Sequence, residues 1–317
     1  MSLPTRTPSW HPLSKAIFRA DEDVNTATML DRAGLAKWNV RTEPVIYPEG
    51  MNTIADEYYV VRDTPAGAEC MAIVGNKYRP YQNEDLLSFG DNLLDGGAKW
   101  ESAGFFSKGR TIYGALTIDS SFTLDPQGAN DKTNTYLLVT TSHDGSSSIR
   151  ACVTPVRVFC QNTLSLAIRK AKQSWAVRHT AGTQGRMEEA RTALALTHAY
   201  MEEFEQEAKT LFETPLTNAQ FDKMYEAIYP SPKDDAKAAL TKWNEKFDLT
   251  RGLYLSAEQN ANITGTKWGA LNAMTERIDW FRNGDKPLTE QMSASASGFE
   301  TGIQQEKSRI LEMVKAF

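Results

Sequence analysis

Apolar residues recur every third or fourth position over 24–38, where Met29, Leu30, Ala33 and Ala36 share one side of a helix. Gly34 weakens the second half of that helix. The period then shortens. Residues 39–47, "NVRTEPVIY", read as an extended segment, and Pro44, with no N–H to give a ladder, assigns it to a sheet edge. Residues 56–75 form two β-rich runs around Pro65, Ala66 and Gly67, which predicts a hairpin. Helical spacing returns over 83–97, with Asn83 as cap, Glu84 and Asp85 in the first turn and Gly96–Gly97 as the stop. Two more strand pairs follow, over 98–119 with a turn at Lys108–Gly109, and over 134–155 with a turn at "HDGS", 143–146. Residues 119–132 between them are a polar loop. Residues 156–175 read as a helix entered through Pro155, at a position where the missing N–H costs nothing.

Beyond residue 185 the pattern is helical throughout. Met187, Ala190, Leu194, Thr197, Met201, Phe204, Ala208 and Leu211 alternate in steps of three and four, a seam that packs either on its own domain or on another subunit. Thr217 and Gln220 make a capping box for a helix through Tyr229, which Pro230 and Pro232 end. Further helices are predicted at 234–247, 266–283 and 299–317. The fold class is therefore α+β: a curved antiparallel sheet with packed helices, followed by an all-helical C-terminal part. Its parts are an N-terminal arm (1–23), an α+β core (24–180) and a helical region (186–317).

The 317 residues suffice for one large domain or two ordinary ones, and 41 % hydrophobic with 24 % charged residues excludes wholesale disorder. No apolar run approaches the roughly 20 residues of a membrane helix. The N-terminal stretch carries no signal-peptide pattern, and three cysteines, Cys70, Cys152 and Cys160, suit a reducing cytoplasm. No membrane contact is expected.

Charge changes the picture more. The net charge is −5, yet Gly145 to Met187 holds no Asp or Glu while Arg150, Arg157, Arg169, Lys170, Lys172, Arg178 and Arg186 fall there. A local basic patch on an acidic chain suits a polyanion. The plainer reading is that these cations pair with acidic helices elsewhere. Gln161 and Asn162 add amide donors and acceptors, and Trp175 and His179 alternate with the cations. Phosphates on Arg and Lys, with bases on rings, is the chemistry of single-strand binding. Lys77, Tyr78, Arg79 and Tyr81 form a second basic-aromatic cluster, and Lys108 and Arg110 a third at a hairpin tip. Taken alone, each is more readily read as a surface loop with extended cations.

Catalytic signals are weak. The four histidines show no metal-ligand spacing, and no Cys-x-x-Cys, phosphate-binding glycine loop or nucleophile elbow occurs. No metal and no cofactor is expected. Cys160 reads as a buried structural thiol, and His143 with Asp144 as turn residues rather than a nuclease pair.

The stretch "SHDGSSSIRACVTPVRVFCQNTLSLAI", with "SWAVRHT" after it, resembles the phage- and plasmid-borne family collected as domain of unknown function 932. The likeness rests on Ser142, Asp144 and Gly145, on Thr154, Arg157, Cys160, Gln161, Asn162, Thr163 and Leu164, and on Arg178, His179 and Thr180. It extends to "GNKYRPYQN" (75–83) and "GTKWGALNAMTE" (265–276). Family members tend to show Trp-His-Gly-Leu-Gly near the N-terminus, where this chain has Trp10, His11, Pro12, Leu13 and Ser14. The resemblance implies a mobile-element protein in a bacterial cytoplasm. The order of elements is also similar to that of phage single-strand annealing proteins of the Red-beta and Erf kind, which form rings or helices around DNA. The expectation is a non-catalytic, homo-oligomeric binder of single-stranded DNA, as a ring or filament. An alternative is a protein-interaction or anti-defence factor built on the helical seam, and a nuclease is a third.

Overall fold

The computed structural model describes residues 11, 14–47, 52–88, 90–125, 128–146, 149–157, 174–176, 183–233, 236–281 and 301–317. Within them two antiparallel sheets come first and a run of helices follows, as the residue pattern requires. In chain order the first part comprises β1 (Ser14–Ile17), α1 (Thr26–Arg32), β2 (Arg41–Tyr47), β3 (Asn52–Thr64), β4 (Gly67–Gly75), α2 (Asn83–Leu87) and α3 (Gly90–Asp95). It continues with β5 (Lys99–Phe106), β6 (Thr111–Leu124), β7 (Asp131–Ser142), β8 (Arg150–Arg157) and β9 (Ser174–Ala176). The main sheet has the order β1-β5-β6-β7-β8-β9, and β2-β3-β4 forms a second, three-stranded sheet. Pro44 does lie on an edge strand. Register breaks at Ser14/Ala16, Trp100/Ser102 and Ile118/Phe122 are bulge-like irregularities, which bend the strands that carry them.

Several local expectations change. The arm contributes β1, which pairs with β5. Helix α1 stops at Arg32, because Gly34, Lys37 and Asn39 all take positive φ. The 83–97 helix is two short ones, and Asn83 is not its cap: Gln82 precedes the helix, and the Asn83 side chain is turned inward. The loop at 119–132 shrinks, since β6 runs to Leu124 and β7 starts at Asp131. The helix expected at 156–175 is contradicted at both ends. Val156 and Arg157 continue β8, and Ser174–Ala176 is a strand. Val153, Thr154 and Val156 are β-branched and pair along β7. Pro155 fits in that strand because β9 reaches only Arg150–Cys152, so no described strand needs its absent N–H. Residues 158–173 lie outside the described ones.

The C-terminal part is α4 (Thr183–Glu213), α5 (Asn218–Ile228), α6 (Lys237–Leu255), a 3-10 segment (Glu258–Ile263), α7 (Lys267–Phe281) and α8 (Thr301–Ala316). The α4 seam packs on its own chain. Ala190, Thr197, Met201, Phe204, Ala208 and Leu211 are buried, and α4 touches α3, β6, β8 and α7. Phe204 meets Phe122 of the sheet and Trp268 of α7. The capping box at Thr217 and Gln220 is formed as expected. Helix α7 is buried from Trp268 to Trp280, so it is the axis on which α4, α6 and α8 pack. One core joins both parts. At its sheet side Trp100 donates from Nε1 to Thr26 Oγ1 at 3.1 Å. Gly114 lies against its ring, where a Cβ would stand 2.7 Å away, so no larger residue fits without moving the indole.

Candidate nucleic-acid interface

Three turns far apart in sequence meet at one end of the main sheet. The first is 76–81 after β4, the second the 3-10 turn Ser107–Gly109 with Arg110, and the third 143–146 between β7 and β8. The Tyr78 hydroxyl donates to the His143 carbonyl at 3.1 Å, and His143 N–H donates to the Arg110 carbonyl at 2.6 Å. Thr111 pairs with Ser142, and Thr140 with Arg150, so β8 starts at this same end. β9 also finishes here, since Ala176 pairs with Arg150. Lys77, Arg79, Tyr81, Lys108, Arg110 and Arg150 are all exposed.

A rigid underlayer holds these turns. His143 is buried, and its Nε2 lies 2.8 Å from Asn83 Oδ1. Asn83 Nδ2 donates to the Leu35 carbonyl at 2.8 Å, which leaves Oδ1 as acceptor and fixes the proton on His143 Nε2. Burial, then the nearby Arg62 charge, pushes the His143 pKa down to about 4 despite Asp144, so its imidazole is neutral at neutral pH. Arg62 lies over the Trp38 ring at 4.0 Å and donates twice to Glu69 Oε2, at 3.0 and 2.8 Å. Its guanidinium presses on Gly109, the third of three successive residues with positive φ (Ser107 52°, Lys108 58°, Gly109 85°). Non-glycine residues held there are strained, and the packed Arg62 is what this turn leans on. Burial works against the Asp144 charge, but hydrogen bonds from Ser146 and Ser142 outweigh it and hold its carboxyl below the usual range.

The predicted residues therefore sort into groups. Lys77, Arg79, Tyr81, Lys108, Arg110 and Arg150 are brought to one exposed end. Arg79 is braced there by the carbonyls of Asn76 and Tyr78, at 2.7 and 3.0 Å. Tyr78 is half-buried, its hydroxyl is committed to His143, and burial raises its pKa to about 12. It is a brace, and not the base-stacking ring expected of it. Trp175 is on β9 opposite Ala151. Gln161, Asn162, Arg169, Lys172, Arg178 and His179 lie outside the described residues, as does Cys160. The nuclease pair does not form: His143 is enclosed against Asn83, and Asp144 accepts from Ser146 N–H at 3.0 Å within the turn. Among the described residues no group of acids, histidines and cysteines is disposed to hold a metal.

Arg157 is the main correction. It sits at the other end of β8 with its side chain fully enclosed, so it cannot hold a phosphate on the surface. Its Nε donates to both oxygens of buried Asp131, at 2.7 and 2.9 Å. Nη1 donates to Asn260 Oδ1 at 2.8 Å, and Nη2 to the Gln259 carbonyl at 3.3 Å and Asn262 Oδ1 at 3.1 Å. Trp268 Nε1 adds a bond to Asp131 at 2.9 Å. Glu276 accepts from Gln259 and Asn260, and burial raises its pKa. This network ties the sheet to the 3-10 segment and α7. The sequence hides it because Asp131 sits in an apparent loop and the partners from the helical part, Asn260, Asn262 and Trp268, lie more than 100 residues on.

Residues 70–308 match the model of a family described as Domain of unknown function (DUF932). No curated protein matches the chain, and no solved structure does. Two pairs of stretches that carry the family likeness meet in space: "GNKYRPYQN" with "SHDGS" at the exposed end, and "TPVR" with "GTKWGALNAMTE" at the enclosed one. Among the described residues no helix is long and apolar enough to cross a membrane.

Proposed function

This chain belongs to the DUF932 family, and we propose that it is a single-stranded-DNA-binding, annealing-type recombination protein of a phage or plasmid. It works without catalysis in the cytoplasm of the bacterial host, as a ring or filament of identical subunits. One observation carries the reading: the turns with Lys77, Arg79, Lys108 and Arg110 converge with Arg150 at one end of the sheet. Cations so placed grip phosphates and read no sequence. Tyr81, exposed on the same end, offers a ring to a base. A strand held by its backbone keeps its pairing edges available to a second strand, which is what annealing needs.

The test is fluorescence anisotropy of a labelled oligonucleotide across a salt series. Binding should weaken steeply with salt, by a slope of about −0.7 per phosphate contact on a single strand. An Arg110→Ala, Arg150→Ala double variant should flatten that slope by roughly 1.4 and bind about tenfold more weakly or worse. Absence of binding at low salt, or a double variant that binds like the parent, rejects the proposal.

A further inference from the structure

Helices α5, α6 and α8, Arg277 of α7 and the Pro230–Pro232 bend line a groove of about 640 Å³ to which none of the sheet-end residues contributes. Its wall on α6 is a cation-aromatic repeat, "KWNEKF", in which Lys242, Trp243 and Lys246 fall on one face. Trp243 is held rigidly. Its Nε1 donates to the Tyr229 carbonyl at 2.7 Å, Phe247 lies parallel to it at 5.3 Å, and Tyr225 meets it edge-on at 5.8 Å. Across the groove Arg277 donates to the Tyr229 hydroxyl at 2.8 Å and to Glu306 at 3.0 Å. Arg277 is buried, and its Nε–H has no hydrogen-bond partner. Arg309 adds a further cation, whereas among the described lining residues Glu306 is the one acid and is already shared by Tyr229 and Arg277.

We propose that this groove binds a nucleoside phosphate. The excess of Lys242, Lys246 and Arg309 over acid selects an anion. The fixed Trp243 ring, half-buried on the groove wall, selects a flat base over a bare ion. The volume suits one small molecule rather than a length of strand. The same chemistry belongs to a free nucleotide and to the phosphorylated end of a DNA strand.

Calorimetric titration of the full chain with AMP, ATP, inorganic phosphate and a short oligonucleotide with and without its 5′-phosphate tests this, the phosphate-dependent part of the oligonucleotide binding being what reports on the groove. Expected is saturable binding of the nucleotides or of the phosphorylated end, with the tighter of the two naming the source. Lys242 and Lys246 are exposed, so a Lys242→Ala, Lys246→Ala variant keeps the fold, and it should bind about tenfold more weakly. Trp243→Leu should erase the preference for AMP over inorganic phosphate. The Arg110→Ala, Arg150→Ala variant should bind AMP like the parent, which separates failure here from failure of the sheet-end reading. No saturable binding by either nucleotide or phosphorylated end, phosphate binding as tightly as AMP, or a lysine variant that binds like the parent overturns the proposal.

Discussion

Arg150 and Arg157 are the first and last residues of one strand, and their surroundings are opposite. Arg150 stands exposed beside two basic turns, while Arg157 is sealed between Asp131, Asn260, Asn262 and the Gln259 carbonyl. An arginine's presence in an acid-free stretch therefore says nothing of its role; what matters is whether the fold encloses it or leaves it exposed. Asp131 reaches Arg157 from the neighbouring strand, beyond the acid-free window. The largest expected effect follows. Arg157→Ala strands a buried carboxylate and an amide oxygen, and breaking such a pair costs about 3–5 kcal/mol. Denaturant unfolding should record that loss. Removing both partners with Arg157→Met and Asp131→Leu should recover much of it, since no uncompensated charge stays buried. A loss of no more than a surface substitution's would mean the network is not the clamp described here.

The exposed end has its own buried support, and pH separates the two. His143 is neutral when folded, with a pKa near 4 against 6.5 for the free side chain. Between those values the unfolded chain takes up a proton that the folded one refuses. Stability is thus complete above about pH 6.5 and falls as pH drops toward 4, by on the order of 2–3 kcal/mol. A His143→Gln variant lacks that titration, so its stability relative to the parent should improve on acidification. Parallel pH profiles would break this account of the turn's support.

Legibility in the sequence followed the range of the interactions. Features set by neighbours were readable: the hairpin at Pro65–Gly67, the capping box at Thr217, the α4 seam, and Pro44 on an edge. The strand at 150–157 was misread because its pairing with β7 is long-range, and Pro155 suits a helix start as well as an edge. Two of the three turns were visible as basic loops, and the third, 143–146, as a hairpin turn. Their convergence was not, because it depends on Tyr78, Asn83 and Arg62 bridging to His143 and Gly109. The α6 groove had a local signal, the "KWNEKF" repeat, but only α8, over 50 residues later, closes it.

The smallest stability effect should fall on one of the residues proposed to hold the strand. Arg150→Ala removes an exposed side chain at the end of a strand whose backbone pairs survive, so unfolding should shift by no more than about 0.5 kcal/mol. Its oligonucleotide affinity should nevertheless fall, with a shallower salt slope by about 0.7. Arg157→Ala should do the reverse, lowering stability while leaving the salt slope of the folded protein at the parent value. If both ends of β8 moved stability and salt slope together, the division between a gripping end and a clamped end would fail, because a single coupled surface would then explain both.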